Sequence, residues 1–243
     1  MIPLHDDNPT RISPVVTMAT IAACVLAFLW QMSLGGEGGQ RAVYSLGVIP
    51  AVLFDRAELP PELVLLPAEA TVFTSMFLHG GIMHLAGNML YLWIFGNNVE
   101  DSMGHARFVI FYLLCGVAAA VGQAWMHPDS QVPMIGASGA ISGVLGAYLL
   151  LYPHARVLTV VPLGLYSQMV RLPALLVLGF WFVMQIFSSA AAGGGEKGGV
   201  AWFAHIGGFI AGMVLIPLFK HRDVPLFHPA QPAPVLPLGR RRG

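Results

Sequence analysis

Four polar side chains with the chemistry of a hydrolase lie inside strongly apolar stretches of this sequence. Ser138 stands in the segment Gly-Ala-Ser-Gly at 136–139, and His205 stands in a second apolar stretch. His84 and Asn88 are four residues apart in a third, which is about one helical turn. Polar groups are costly inside a bilayer, so their presence there indicates a functional site. A hydroxyl, an imidazole and two hydrogen-bond donors are the groups with which a serine hydrolase works.

The composition places these groups in a membrane protein. The 243 residues are 56% hydrophobic and 10% charged, and the mean hydropathy is +0.70. Soluble domains carry about 25% charged residues, so this chain cannot cover a water-facing surface. The formal net charge is zero, which indicates no nucleic-acid partner. Cys24 and Cys115 both fall in apolar stretches, where we expect small buried hydrophobic residues rather than a disulfide or a metal site.

Six apolar segments approach the roughly 20 residues that a membrane-spanning helix needs. The sequence predicts an all-α, polytopic bundle of six transmembrane helices, with spans of about 14–34, 82–96, 108–126, 134–152, 172–190 and 200–219. The membrane domain thus covers residues 14–220. It follows a short cytoplasmic segment, residues 1–13, and precedes a tail rich in Pro and Arg, residues 221–243, that we expect to be disordered.

Two further stretches are apolar but unsuited to crossing a membrane. A long first outer loop, residues 35–81, holds several charges and only short apolar pieces, which fit an interfacial or re-entrant segment. Residues 157–170 are interrupted by Pro162 and are followed by Arg171. We therefore place that stretch at a membrane surface rather than count it as a seventh span.

The distribution of basic residues predicts the orientation. Six spans put both termini on one side, and all but three of the twelve Lys and Arg residues fall there; the exceptions are Arg41, Arg56 and Lys197. Because basic loops stay on the cytoplasmic side, both termini are predicted to be cytoplasmic. The expected location is a prokaryotic inner or plasma membrane, with the long first loop facing outward.

This topology puts the four polar groups at one depth. Ser138, His205 and the pair His84 and Asn88 each lie early in a span that runs from outside to inside. At about 1.5 Å per residue, all four fall within roughly 10 Å of the outer boundary. Three separate spans therefore place their polar residues at the same depth, although the orientation of the spans was derived from the basic residues alone.

Small residues allow two of these spans to pack closely. Gly139 and Gly143 form a row in the fourth span, and Gly208 and Gly212 form one in the sixth. Such rows let helix backbones approach each other, which is what a short serine side chain needs to reach an imidazole on another helix. Gly136 also permits a close approach of backbone to substrate. A helix N-terminus near the serine favours a developing anion.

Three motifs, taken together and in order, resemble the rhomboid family of intramembrane serine proteases. They are His79-x-x-x-x-His84-x-x-x-Asn88, Gly136-x-Ser138-Gly139 and His205-x-x-Gly208-x-x-x-Gly212. The match covers the spans from about residue 76 to residue 219. It implies an endopeptidase that hydrolyses peptide bonds in or near the transmembrane segments of other membrane proteins. Its partners would be those substrates and the lipid bilayer, with no metal and no cofactor.

The resemblance also implies a role for each polar residue. Ser138 would be the nucleophile and His205 the general base of a Ser-His dyad that lacks a third acidic residue. His84 and Asn88, with the backbone N–H of Ser138, would form the oxyanion hole. His79 matches a further family histidine that supports the same area without taking part in catalysis.

Some positions depart from the family pattern or extend it. Some members carry an aromatic residue four positions after the nucleophile, stacked on the histidine, where this chain has Ser142. A Trp-Arg pair that is common in the first loop is missing from residues 35–77. Gln123, His79 and the glycine-rich segment 193–199 are candidates to line or cap a water-filled cavity. Glu100 resembles part of a family Glu/Arg structural region, with a solvated turn as the alternative.

Three other readings stay open on the sequence. A transporter would use the polar residues as an ion path, but it predicts carboxylates in mid-span, and the Asp and Glu residues here lie in loops or near helix ends. A zinc protease would use His79, His84 and His205, but the first two are five apart without an intervening Glu. A catalytically inactive rhomboid relative would bind membrane proteins, although such relatives typically lack the serine or the histidine.

Overall fold

A computed structural model describes residues 1–164, 166–191 and 201–229. In chain order its elements are β1 (Ile2–Asp6), α1 (Val15–Ser33), α2 (Gly35–Leu46), α3 (Pro50–Leu53), α4 (Ala68–Thr74), α5 (Ile82–Met103), α6 (His105–Met126), α7 (Ser138–Leu151), β2 (Arg156–Leu163), β3 (Tyr166–Pro173), α8 (Ala174–Ala191) and α9 (Trp202–Phe219). Short 3-10 turns at Pro61–Leu63 and Ser75–Phe77 flank α4.

The predicted helical membrane bundle is confirmed. The helices α1, α6, α8 and α9 are each long and apolar enough to cross a membrane, and α5 forms a fifth candidate together with the segment Pro61–Phe77, which meets it at 81°. The helix α7 is shorter, with 14 residues. The six helices α1 and α5–α9 correspond to the six predicted spans, while the number of actual crossings stays a prediction.

The short helix α7 lies at the centre of the bundle. Every residue from Gly139 to Tyr148 is buried, because this helix is apolar on all sides and rich in small residues. Side chains on the outer helices, in contrast, remain exposed where lipid would cover them, as at Leu26 and Val214. Cys24 and Cys115 are fully buried, as predicted.

A three-stranded antiparallel sheet lies at the end of the bundle opposite Ser138. The strand β2 pairs with β1 on one side, through Ile2 and Val160, and with β3 on the other, through Val157 and Leu172. The stretch that we placed at a membrane surface is therefore a β-hairpin. The N-terminal segment adds the third strand, which local sequence patterns did not predict because its partner is more than 150 residues away.

Asp6, the last residue of β1, ties this sheet to α7. Its side chain is only 3% exposed, and it accepts a 2.6 Å hydrogen bond from the Tyr148 hydroxyl. Burial raises the pKa of Asp6 from 3.8 to about 6, against the opposing effects of that hydrogen bond and of the neighbouring His5. Asp7 adds a smaller upward effect on the same pKa. Above pH 6, docking of β1 therefore requires a buried negative charge.

This arrangement predicts that β1 docks more tightly in mild acid. Because the folded-state pKa of Asp6 lies above 3.8, its protonation stabilises the docked strand; the benefit is complete below about pH 4 and is lost as the pH rises through about 6. Between pH 7 and pH 5 the gain is about 1 kcal/mol. We expect amide hydrogen exchange in β1, corrected for intrinsic rates, to slow accordingly. Asp6→Asn should remove this pH dependence, and a variant that retains it would contradict the assignment.

The carboxyl end of α5 holds the beginning of α1. The Glu100 carboxylate is fully buried and accepts hydrogen bonds from the backbone N–H groups of Val16 and Thr17 and from the Thr17 hydroxyl, at 2.7–2.9 Å. It also lies 2.6 Å from His105 Nδ1. A carboxylate bound to the first turn of another helix acts as that helix's N-cap. The alternative that Glu100 belongs to a solvated turn is therefore wrong.

The described part of the C-terminal tail packs back on the bundle. The N–H groups of Phe227 and His228 donate hydrogen bonds of 2.7 and 2.8 Å to the carbonyls of Leu150 and Leu151. Residues 221–229 thus continue the core at the end of α7. The rest of the tail that we expect to be disordered, residues 230–243, lies outside the described residues.

Candidate active site

The hydroxyl of Ser138 and the imidazole of His205 meet at one end of the bundle. Ser138 is the first residue of α7, and His205 lies in the first turn of α9. The distance from Ser138 Oγ to His205 Nε2 is 2.9 Å, and both residues are half-buried. The two residues that the sequence analysis named as candidate nucleophile and base, 67 positions apart in the chain, therefore lie within hydrogen-bond distance of each other.

Close packing of α7 against α9 makes this contact possible. A Cβ atom added to Gly208 would overlap the carbonyl oxygen of Gly139, and one added to Gly212 would overlap that of Gly143. The two backbones thus run in direct contact over two turns, starting beside Ser138. The glycine rows noted in the sequence face each other here.

The start of α9 is fixed by Gln123 of α6. The Gln123 side chain is 1% exposed, and its Oε1 accepts the backbone N–H groups of Phe203 at 3.0 Å and Ala204 at 3.2 Å. These N–H groups belong to the first turn of a helix, where the usual partner four residues earlier is missing; the Ala204 N–H also donates to the carbonyl of Ala201 at 3.1 Å. Gln123 therefore caps the helix that carries His205.

The orientation of the imidazole is set by Gln185 of α8. His205 Nδ1 lies 2.7 Å from Gln185 Oε1, and Gln185 Nε2 donates to the carbonyl of Trp181 at 3.2 Å. Because a carbonyl can only accept, the amide nitrogen must face Trp181 and the amide oxygen must face the imidazole. His205 Nδ1 therefore carries the proton, which leaves the lone pair of Nε2 free to accept the proton of Ser138.

Sequence reasoning missed Gln185. The signal was present, since it is the only amide or ionisable side chain between Leu172 and Phe187. Its meaning depends on which face of α8 turns inward, which the sequence does not show. In the structure Gln185 is 7% exposed, while its neighbours Met184 and Ile186 are exposed.

Two tryptophan rings flank the imidazole of His205. The Trp181 ring centre lies 5.9 Å from the imidazole centre at an angle of 38°, and the Trp202 ring meets it edge-on at 6.1 Å. Ser142 is fully buried and donates a 2.6 Å hydrogen bond to the carbonyl of Ser138. Aromatic cover over His205 therefore comes from α8 and α9 rather than from position 142.

Two hydrogen-bond donors from α5 converge beside the loop that leads to Ser138. A Cβ atom on Gly136 would lie 2.8 Å from His84 Nε2 and 3.7 Å from Asn88 Nδ2. His84 Nδ1 accepts the N–H of Gly80 at 3.4 Å, so in the neutral ring Nε2 carries the proton. Asn88 Nδ2 is buried and has no hydrogen-bond partner among the described residues. Free N–H donors in this position suit a developing oxyanion.

Gly136 shapes the approach to this region. It has a φ of +123°, which disfavours any residue with a side chain, and its N–H donates to the carbonyl of Ser75 at 2.9 Å. A side chain here would also fill the space next to His84 and Asn88. His84 is exposed on this side of the site.

His79 supports this wall of the site. Its side chain is 2% exposed, its Nδ1 lies 3.2 Å from the carbonyl of Phe77, and its ring meets that of His84 edge to face at 5.2 Å. Gln31 of α1 binds its backbone at both the N–H and the carbonyl, at 3.0 and 3.4 Å. These contacts hold His84 in place, and the described hydrogen bonds and ring contacts of His79 reach neither Ser138 nor His205.

Within the described ranges, no group of three or more His, Cys, Asp or Glu residues is arranged to hold a metal ion. The histidines of the site are instead used singly, His205 towards Ser138 and His84 towards Gly136. The glycine-rich segment 193–199, which we named as a possible cap, lies outside the described residues. The described groups amount to a serine hydroxyl, an oriented imidazole and two N–H donors.

Comparison with known proteins adds the family context. The sequence matches the Rhomboid domain over residues 68–222, which is more than half of the chain and contains Ser138, His205, His84, Asn88 and Gln185. It is 30% identical to Rhomboid protease GluP of Bacillus subtilis over 202 residues, which is 83% of this chain and 35% of that protein. It is 29% identical to Rhomboid protein 1, mitochondrial, of Saccharomyces cerevisiae over 153 residues, 60% of this chain and 41% of that protein. The chain thus spans about two-fifths of the length of these relatives.

Proposed function

The chain belongs to the rhomboid family, and from that premise we propose that it is an intramembrane serine endopeptidase. It hydrolyses peptide bonds in or near the transmembrane segments of other membrane proteins. The single observation that carries this proposal is the 2.9 Å contact between Ser138 Oγ and His205 Nε2 at the N-terminus of α7.

The reaction begins with attack by Ser138 on the scissile carbonyl. His205 Nε2 takes the hydroxyl proton as the C–O bond forms, and His205 then donates it to the nitrogen of the leaving amine. As the C–N bond breaks the amine leaves; a water molecule then attacks the acyl-enzyme and loses a proton to His205 Nε2. The bond from the acyl carbon to Ser138 Oγ breaks, and His205 returns that proton to the Ser138 oxygen. Acylation of Ser138 and hydrolysis of the acyl-enzyme are separate steps. In each of them the imidazole of His205 acts first as base and then as acid.

The negative charge of the tetrahedral intermediate forms on the former carbonyl oxygen. His84 Nε2–H, Asn88 Nδ2 and the backbone N–H at the start of α7 are the donors for it. One such donor is typically worth about 2.7–4 kcal/mol in the transition state. The two side-chain donors are held by helix α5 and the backbone donor by α7, so none needs to rearrange when the charge develops.

Asn88→Ala is expected to lower kcat by about 10²-fold, with KM changed little, because the lost donor acts on the transition state more than on bound substrate. Steady-state cleavage of a transmembrane substrate by purified protein in liposomes measures both constants. Asn97→Ala is the matched control, since Asn97 lies on the same helix two to three turns away and hydrogen-bonds to Asn98. An Asn88→Ala enzyme with unchanged kcat would exclude this residue from the oxyanion hole.

A serine-directed phosphonate probe tests the proposal as a whole. Wild-type protein in detergent should form a covalent adduct that mass spectrometry maps to Ser138. The same protein should cleave a substrate with a single transmembrane helix, and a chelator should leave the rate unchanged. A folded chain that neither accepts the probe nor cleaves would favour an inactive rhomboid-like binder, and loss of activity on metal removal would favour a zinc enzyme.

The chain is a multi-pass membrane protein, and we propose that its termini are cytoplasmic. The basis is the distribution of Lys and Arg, which places Ser138 near the outer face. Similar proteins include mitochondrial ones, so the similarity does not determine in which kind of membrane this chain lies. Cysteine-accessibility labelling at residues 2 and 58, on opposite sides in this topology, distinguishes the two orientations.

A further inference from the structure

We propose that Gln185 of α8 is the positioning residue of the general base, so that the site works as a Ser-His-Gln arrangement assembled from three helices. The inference rests on the proposed function and deepens it, since it assigns what holds His205 in a productive state. The dyad implied by the family resemblance contains no such third group.

Gln185 is an amide buried in an otherwise apolar part of α8. Gln185 is 7% exposed, and both ends of its side chain are hydrogen-bonded, to His205 and to the Trp181 carbonyl. An amide at this depth is costly unless it is fully paired. The neighbouring residues Met184, Ile186 and Phe187 are apolar and exposed. Gln185 is therefore the polar residue that this helix turns towards the site.

The contact with Gln185 also selects the tautomer of His205. A neutral imidazole carries its proton on either nitrogen, and only the form with the proton on Nδ1 presents a lone pair to Ser138. Gln185 Oε1, at 2.7 Å, accepts that proton's hydrogen bond and so selects this form. The amide cannot turn round without bringing its NH₂ group against Nδ1–H and its oxygen against the Trp181 carbonyl.

Gln185 also supports the positively charged imidazolium that His205 becomes during the reaction. When His205 takes the serine proton, both its nitrogens carry hydrogen, and Nδ1–H keeps its partner in Gln185 Oε1. A neutral amide gives this support without a second buried charge. The aspartate of a soluble catalytic triad has the same position relative to the histidine but carries a full charge.

The same helix supplies one of the two tryptophan rings that flank the imidazole. The Trp181 ring lies against the imidazole, and Trp181 is also the residue whose carbonyl orients Gln185. Ser142 is directed away, to the carbonyl of Ser138. Both supports of the base therefore depend on the position of α8, and a shift of this helix would release His205.

Two substitutions of nearly equal size test the role of Gln185. Gln185→Met keeps the length of the side chain and removes the acceptor, whereas Gln185→Glu restores an acceptor oxygen at the same place. Gln185→Met should lower kcat by about 10²-fold with KM nearly unchanged, as expected when a reacting group is misoriented. Gln185→Glu should retain clearly more activity than Gln185→Met. Ser189→Ala is the control, since Ser189 is buried one turn further along α8.

A purely structural role predicts the opposite order, because Met suits an apolar helix better than Glu does. A Gln185→Met enzyme as active as wild type, or a Gln185→Glu enzyme no better than Gln185→Met, overturns the proposal. A readout without activity is ¹⁵N NMR of the His205 ring in the Ser138→Ala background, where Gln185→Met should lower the share of the Nδ1–H form. Failure of the proposed function can be told apart from these outcomes for the Gln185 variants, because the wild type itself would then neither cleave a substrate nor bind the probe.

Discussion

Replacing Ser138 with alanine should abolish cleavage, lowering kcat by at least about 10⁴-fold while the protein remains folded. The substitution removes one oxygen atom, whose described hydrogen bond is the one to His205 Nε2. Ser138 stands at the first residue of α7 and is half-buried, so its loss opens little space in the core. Turnover of a transmembrane substrate by purified protein, together with its melting temperature, measures both parts of this expectation.

Ser142→Ala is the matched control on the same helix. Ser142 lies one turn after Ser138, is fully buried, and donates its hydroxyl hydrogen to the Ser138 carbonyl rather than to His205. Removing a hydrogen bond of this kind costs about 1 kcal/mol of stability, and we expect kcat to stay within about threefold of wild type. Unchanged turnover by Ser138→Ala, or an equal loss in both variants, would refute Ser138 as the nucleophile.

The sequence singled out the candidate reacting groups because each was an exception in its surroundings. Ser138, His205, His84 and Asn88 are polar residues in apolar spans, and helical rise alone placed them at one depth. The helical bundle followed from the same composition. The structure places Ser138 against His205, and His84 and Asn88 beside Gly136, and the opposed glycine rows explain the closeness of α7 and α9.

The sequence did not predict the residues whose partners are distant in the chain. Glu100 caps a helix that begins 85 residues earlier, and Asp6 is bound to Tyr148 on another element. Gln123 and Gln185 are isolated amides whose partners depend on how α6 and α8 are rotated in the bundle. Hydropathy fixes where a helix lies but leaves that rotation open, so the supports of His205 became visible only in three dimensions.

Gly208→Ala should lower kcat by about 10²-fold or more, because it forces apart the two helices that carry the dyad. The new Cβ atom would overlap the carbonyl oxygen of Gly139, the residue that follows Ser138. The carbonyl oxygen belongs to the backbone and the Cβ atom is bonded to it, so neither can move by a side-chain rotation. Helix α9 must therefore shift relative to α7. His205 is one turn before Gly208 and shifts with it. Cleavage kinetics and the rate of phosphonate labelling should fall together.

Gly207→Ala separates this effect from a general intolerance of larger side chains. The Cβ atom of residue 207 would meet its nearest neighbour, the Ala118 carbonyl oxygen, at 3.4 Å, which is an ordinary contact. Alanine favours the helix over glycine by about 1 kcal/mol, so Gly207→Ala should keep its activity and melt no lower than wild type. The two adjacent substitutions are chemically identical and differ only in what the added methyl group meets. If both variants lost activity equally, or Gly208→Ala lost none, close backbone contact between α7 and α9 would not be what positions His205 against Ser138.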